Sequence, residues 1–92
     1  MPTVGDFQAS VRRIEGFNIR VVRDGRNVRD DKQLRVRYAS YSRALSGGST
    51  VTQWRDGRFA QVLPGYEVVV LDARGRPVHG GTLLSTVRAT YP

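Results

Sequence analysis

The chain has one histidine, His79, and no cysteine, so few groups are available for acid–base or nucleophilic chemistry near neutral pH. A catalytic set would join His79 to Asp72 and Ser85 as base, orienting acid and nucleophile. No nucleophile-elbow pattern surrounds Ser85, which falls in a stretch with helical spacing, and any small protein with a histidine offers such a trio by chance. Metal ligation fares no better. The adjacent carboxylates Asp30 and Asp31 lie among arginines that compete for them, and the calcium-loop spacing is missing. The sequence therefore points away from enzymes, with no catalytic residue, no metal and no cofactor expected, and toward a protein that works by binding.

Arginine is the residue type that suggests a partner. Fifteen basic residues face eight acidic ones, for a net charge of +7, and only Lys32 among the fifteen is lysine. A GC-rich genome favours arginine over lysine, so that preference alone says little. The position of the charge says more. Arg12, Arg13, Arg20, Arg23, Arg26, Arg29, Lys32, Arg35, Arg37 and Arg43 fall in one stretch, against Glu15, Asp24, Asp30 and Asp31. A basic lobe joined to a near-neutral one is the electrostatic footprint of a nucleic-acid or acidic-protein binder, although solvated ion pairs would produce the same pattern.

Aromatic residues are interleaved with these arginines. Guanidinium groups for phosphates and rings for bases are how sequence-tolerant single-strand binders work. The expected nucleic-acid-binding set is Arg12, Arg13, Arg20, Arg35, Arg37 and Arg43, with Tyr38 and Tyr41 as stacking rings. No helix-turn-helix, zinc-finger, RNP or KH pattern is present, so any such binding is led by backbone charge. DNA or RNA is the expected partner. The alternative is an acidic protein partner, met by a protein-interaction module such as a small inhibitor or accessory factor, as in phages and other mobile elements.

Two glycine corners offer anion sites. Gly47-Gly48 precedes Thr50, and Gly80-Gly81 precedes Thr82, each ahead of an expected helix start. Helix N-termini carry free N–H groups, and glycine lets an anion approach the backbone. The plainer reading is that glycine turns the chain and threonine caps the helix.

The elements that must hold these groups follow from periodicity. Phe7 to Arg13 alternates in polarity and predicts a strand, paired as a hairpin with a second strand carrying Phe17, Ile19 and Val21. Asp24-Gly25 is a turn signal. Residues 26–49 are ambiguous between a short strand at Leu34, Val36 and Tyr38, a helical stripe and irregular chain. Thr50 predicts a helix cap, with a hairpin at Asp56-Gly57 as the competing reading. Tyr66 to Leu71 is a β-branched run and the expected central strand. Arg76 to His79 is expected to pair back at the edge, and Thr82 to cap a closing helix with Leu83, Leu84, Val87 and Tyr91 on one face.

The expected architecture is α+β, a small antiparallel sheet of three to four strands with two short helices; the alternative is all-β, with three hairpins. Ninety-two residues fit a single basic domain spanning 1–92. No apolar run is long enough to span a membrane, no signal-peptide pattern opens the chain, and a cytoplasmic protein is expected.

Overall fold

The structure, a computed structural model, describes residues 2–38 and 43–92. It is an α+β fold: a three-stranded antiparallel sheet with helices packed around one aromatic core.

The first element is a helix, α1 (Val4–Glu15), where the alternation predicted a strand. Both of its ends are specified locally. The Thr3 hydroxyl accepts from the Asp6 amide at 3.2 Å, and the Asp6 carboxylate accepts from the Thr3 amide at 3.0 Å, closing a capping box. Gly16, at φ 88°, ends the helix in the left-handed region. Val4, Phe7, Val11 and Glu15 are the buried positions, a helical spacing that Ala9, which is exposed, does not share. The helix period wins because the caps fix both ends and Val4 and Glu15 complete the inward stripe.

After Gly16 the chain turns into β1 (Asn18–Arg23), whose Ile19 and Val21 face inward while Asn18 and Arg20 face solvent. Asp24 and Gly25 both adopt positive φ, at 53° and 77°, making the tight turn to β2 (Arg26–Asn27). β3 (Glu67–Leu71) pairs antiparallel with β1, from Asn18 opposite Leu71 to Val22 opposite Glu67. The sheet order is β2-β1-β3, so β1 is central and β3 lies at the side, a correction to the expected centre. The expected hairpin between Phe7–Arg13 and β1 is absent because its first half is helical. The return of Arg76–His79 forms no strand, only a bridge between Leu71 and Pro77 and hydrogen bonds from the Asp72 amide to the Arg76 carbonyl and from the Val78 amide to the Val70 carbonyl.

Residues 28–34 run past the start of α1. The Val4 and Gly5 amides donate to the Lys32 and Asp30 carbonyls, and Thr3 bridges Gln33. Leu34 and Tyr38 are buried, but Val36 is 38% exposed, and no strand forms there.

Thr50 caps the next helix as predicted, in a capping box with Gln53. α2 (Val51–Trp54) continues through a π-helical turn, Arg55–Phe59, into α3 (Ala60–Val62). Asp56-Gly57 thus lies inside a helix and not in a hairpin. Trp54 and Phe59 explain the wider turn. Residues five apart in a regular α-helix point about 140° from one another, yet both rings are buried, at a centroid distance of 5.9 Å. The π turn swings Phe59 back toward the core. Trp54 also meets Phe17 edge-on at 5.1 Å. α4 (Leu84–Ala89) closes the fold, with Leu84 and Val87 buried and Leu83 exposed. No helix among the described residues is long and apolar enough to cross a membrane.

Candidate nucleic-acid interface

The two glycine corners meet each other. In the 79–82 loop the Thr82 and Gly80 carbonyls accept from the Val51 and Thr52 amides at the start of α2. In the 46–50 loop the Ser49 and Gly47 carbonyls accept from the Leu84 and Ser85 amides at the start of α4. A bridge between Thr50 and Leu83 joins the loops, so each corner caps the other's helix. The remaining first-turn donor of α2, the Gln53 amide, goes to the Thr50 hydroxyl.

This corrects the anion-site expectation for Gly47, Gly48, Thr50, Gly80, Gly81 and Thr82. The helix-start amides that an anion needs already have partners. The glycines serve close approach: a Cβ on Gly47 would lie 2.9 Å from Ser85 Cβ, and one on Gly80 would fall on the Thr52 hydroxyl. Thr82 does not cap α4, whose N-cap is Leu83 without a side-chain bond, because the Thr82 carbonyl is turned to α2.

The second organising centre is Glu15, a buried carboxylate at the negative end of α1. Oε2 accepts from Tyr38 Oη at 2.5 Å and from Arg58 Nη1 at 2.6 Å. Oε1 accepts from the Leu45 amide at 2.9 Å and from Arg88 Nη2 at 3.3 Å. Arg88 Nε also donates to the Glu15 carbonyl, satisfying an end-of-helix acceptor. Trp54 Nε1 donates to Tyr38 Oη at 3.0 Å. Burial and the Glu15 hydrogen bond hold the Tyr38 hydroxyl well above the ordinary phenol range. Burial works against the Arg58 charge, but the hydrogen bond and charge of Glu15 outweigh it and raise its pKa. Among the described residues, no buried side-chain polar atom lacks a partner.

Tyr38 is therefore a core residue. Its ring is fully buried and meets Phe7 at 5.5 Å, so it offers no face to a base. Tyr41 lies outside the described residues. Arg43 is exposed and lends only its carbonyl to the centre, accepting from Arg58 at 2.8 Å.

The other predicted arginines are at the surface. Arg12, Arg13, Arg20, Arg35 and Arg37 are exposed and form no ion pair among the described residues. Arg13 and Arg37 line one cavity of about 540 Å³ beside α1. Arg12 lies on the opposite flank of the helix, its guanidinium 4.5 Å from the centre of the Tyr91 ring. The Tyr91 hydroxyl bridges the Asn18 amide and the Leu71 carbonyl, fixing that stack at one end of the β1–β3 ribbon. Arg20, opposite Val69, marks the middle of the ribbon. At the far end Arg23 covers the Tyr66 ring at 5.0 Å and faces Arg26 across the turn. Sequence reasoning missed both arginine–tyrosine stacks, because Tyr66 and Tyr91 read only as packing residues in a strand and a helix.

The His79, Asp72 and Ser85 trio does not assemble. His79 Nδ1 accepts from the Gly81 amide at 2.9 Å. The Asp72 carboxylate accepts from the Arg76 and Arg74 amides, which hold it below its ordinary pKa. Ser85 is exposed on α4. Among the described residues, no cluster of three or more histidine or acidic side chains is placed to hold a metal ion. No family model, curated protein or solved structure matches this chain.

Proposed function

We propose that this chain is a non-catalytic nucleic-acid-binding domain, working in the cytoplasm, whose contact surface follows the β1–β3 ribbon. The observation that carries the reading is the set of exposed cations around it: Arg12 on Tyr91 at one end, Arg20 in the middle of the solvent face, and Arg23 on Tyr66 beside Arg26 at the other end. Arg23 projects from the opposite side of the strand to Arg20. From Asn18 to Arg23 the strand rises roughly 17 Å, the length of a few nucleotides. Arg23 and Arg26 sit directly opposite each other, an arrangement that like charge disfavours and that a bound phosphate relieves. Each ring–guanidinium stack supplies a plane for a base and a donor fork for a phosphate. Arg58 and Arg88 are excluded from this surface because Glu15 holds them.

The second reading is a protein-interaction module meeting an acidic partner. It draws support from the half-buried Val22 and Val69 on the solvent face of the sheet, around Arg20. Fluorescence anisotropy with labelled single- and double-stranded DNA and RNA at low and moderate salt separates the two. Binding that weakens steeply with salt supports the first, and no binding even at low salt leaves the second.

A further inference from the structure

The cavity beside α1 has a polarity that neither reading uses. Its helical wall is the 6–9–10–13 face of α1, with Asp6 at one end, Arg13 at the other and the small residues Ala9 and Ser10 between. Pro2, Arg37 and the edge of the buried Phe7 complete the lining. At about 540 Å³ it is within the size range of small-ligand sites. Seven residues of helix separate Asp6 from Arg13, about 10 Å along the axis.

The charges at the two ends, Asp6 and Arg13, are opposite, and the Arg37 charge acts on the Asp6 carboxylate. Neither Arg13 nor Arg37 forms an ion pair among the described residues. Asp6 uses Oδ2 on the Thr3 amide, while Oδ1 has no hydrogen-bond partner among the described residues. The Thr3 hydrogen bonds hold the Asp6 carboxyl below its ordinary pKa, so it stays anionic at neutral pH. A ligand that fills this space must carry an anion at one end and a hydrogen-bond donor at the other.

We infer that the cavity takes one nucleotide, its phosphate on Arg13 and the exocyclic amino group of its base on Asp6. The inference rests on the nucleic-acid reading above and adds to it a site with base preference. A carboxylate accepts from the cytosine amino group and is repelled by the carbonyl that replaces it in uracil. Free nucleotides and nucleotides within a strand share this chemistry.

The test is NMR titration of the whole chain with cytidine monophosphate, uridine monophosphate and inorganic phosphate, observing the Ala9 and Ser10 amides. Cytidine monophosphate is expected to shift both saturably and to bind about tenfold tighter than uridine monophosphate, the worth of one charge-assisted hydrogen bond. Asp6→Asn keeps an oxygen for the Thr3 amide and should abolish the preference. Arg13→Ala, at an exposed position, should weaken binding of either nucleotide. Ala9→Leu, which preserves the helix and fills the cavity, should block it. Equal shifts with all three ligands, or none, overturn the inference. Oligo(dC) and oligo(dT) tested alongside separate the sources: a preference kept in the strands assigns a strand nucleotide to the cavity, and one seen only with monomers assigns a free nucleotide. If oligonucleotides bind while Ala9 and Ser10 stay unmoved, the cavity assignment falls and the arginine surface stands. If cytidine monophosphate binds and no oligonucleotide does, the cavity stands and the nucleic-acid reading falls.

Discussion

Arg58 reaches 43 positions back along the chain to place Nη1 2.6 Å from Glu15 Oε2, and the same nitrogen donates to the Arg43 carbonyl. One guanidinium thereby ties the helix that carries it to the end of α1 and to the segment that leads toward Leu45. Glu15 is the residue on which the most distant parts of the chain agree.

Removing that carboxylate should be costly. Glu15→Ala removes the carboxylate that accepts from Arg58, Arg88, the Tyr38 hydroxyl and the Leu45 amide. A loss of about 3–5 kcal/mol is expected, the range for breaking a buried pair from one side. Chemical denaturation reads it, and a loss no larger than that of a surface substitution would show that Glu15 is not the centre described.

Tyr38 should make the protein sensitive to alkali. Its hydroxyl is held protonated by burial and by Glu15, so its ionisation is displaced above the ordinary value of 10.0. A folded pKa above the unfolded one means stability fully present below pH 10 and lost as pH rises above it. Tyrosinate absorbance should show Tyr38 ionising only with unfolding. Tyr38→Phe should cost about 1–3 kcal/mol at neutral pH, by orphaning Trp54 Nε1, and flatten the alkaline limb.

The acid limb should involve Asp6 and Asp72. Both carboxyls are held below the ordinary value by backbone amides, of Thr3 and of Arg76 and Arg74 respectively. For a depressed acid the stabilisation is present above the unfolded pKa of 3.8 and disappears as pH falls below it. Side-chain carbon NMR should place both midpoints below the ordinary value of 3.8, and midpoints at or above it would count against both turns.

The interlocked loops predict different rescues. Gly47→Ala puts its Cβ 2.9 Å from Ser85 Cβ, which no rotation can move, so a loss of about 1–3 kcal/mol is expected. Gly80→Ala meets only the Thr52 hydroxyl, which can rotate away. Thr52→Ala should therefore rescue Gly80→Ala, whereas Ser85→Ala should leave Gly47→Ala unrescued. Thermal melts of the single and double variants decide it.

What the sequence disclosed was local. The Asp24-Gly25 turn, the Thr50 cap and the β-branched strand after Tyr66 each carry their signal within a few residues. α1 was hidden because its inward stripe ends on Glu15, and a carboxylate reads as surface until Arg58 and Arg88 are seen to meet it. The glycine corners read as anion sites because the acceptors at Gly80 and Thr82 lie some thirty residues from the amides they cap. The π turn depends on Trp54 and Phe59 sharing one core, which no spacing rule conveys. Arg58 and Arg88 read as surface charges but are held by Glu15, and the arrangement of Arg12, Arg20, Arg23 and Arg26 appears only once the fold brings α1, β1 and β2 together.

That arrangement is the central claim, and the salt dependence of binding tests it. The affinity of the unmodified chain for a single-stranded oligonucleotide should fall linearly with salt on logarithmic axes. Arg20→Gln combined with Arg23→Gln and Arg26→Gln should weaken binding and reduce the slope by roughly 2, about 0.7 for each phosphate no longer neutralised. An unchanged slope and affinity in the triple variant, or no binding by the unmodified chain at low salt, would contradict the account.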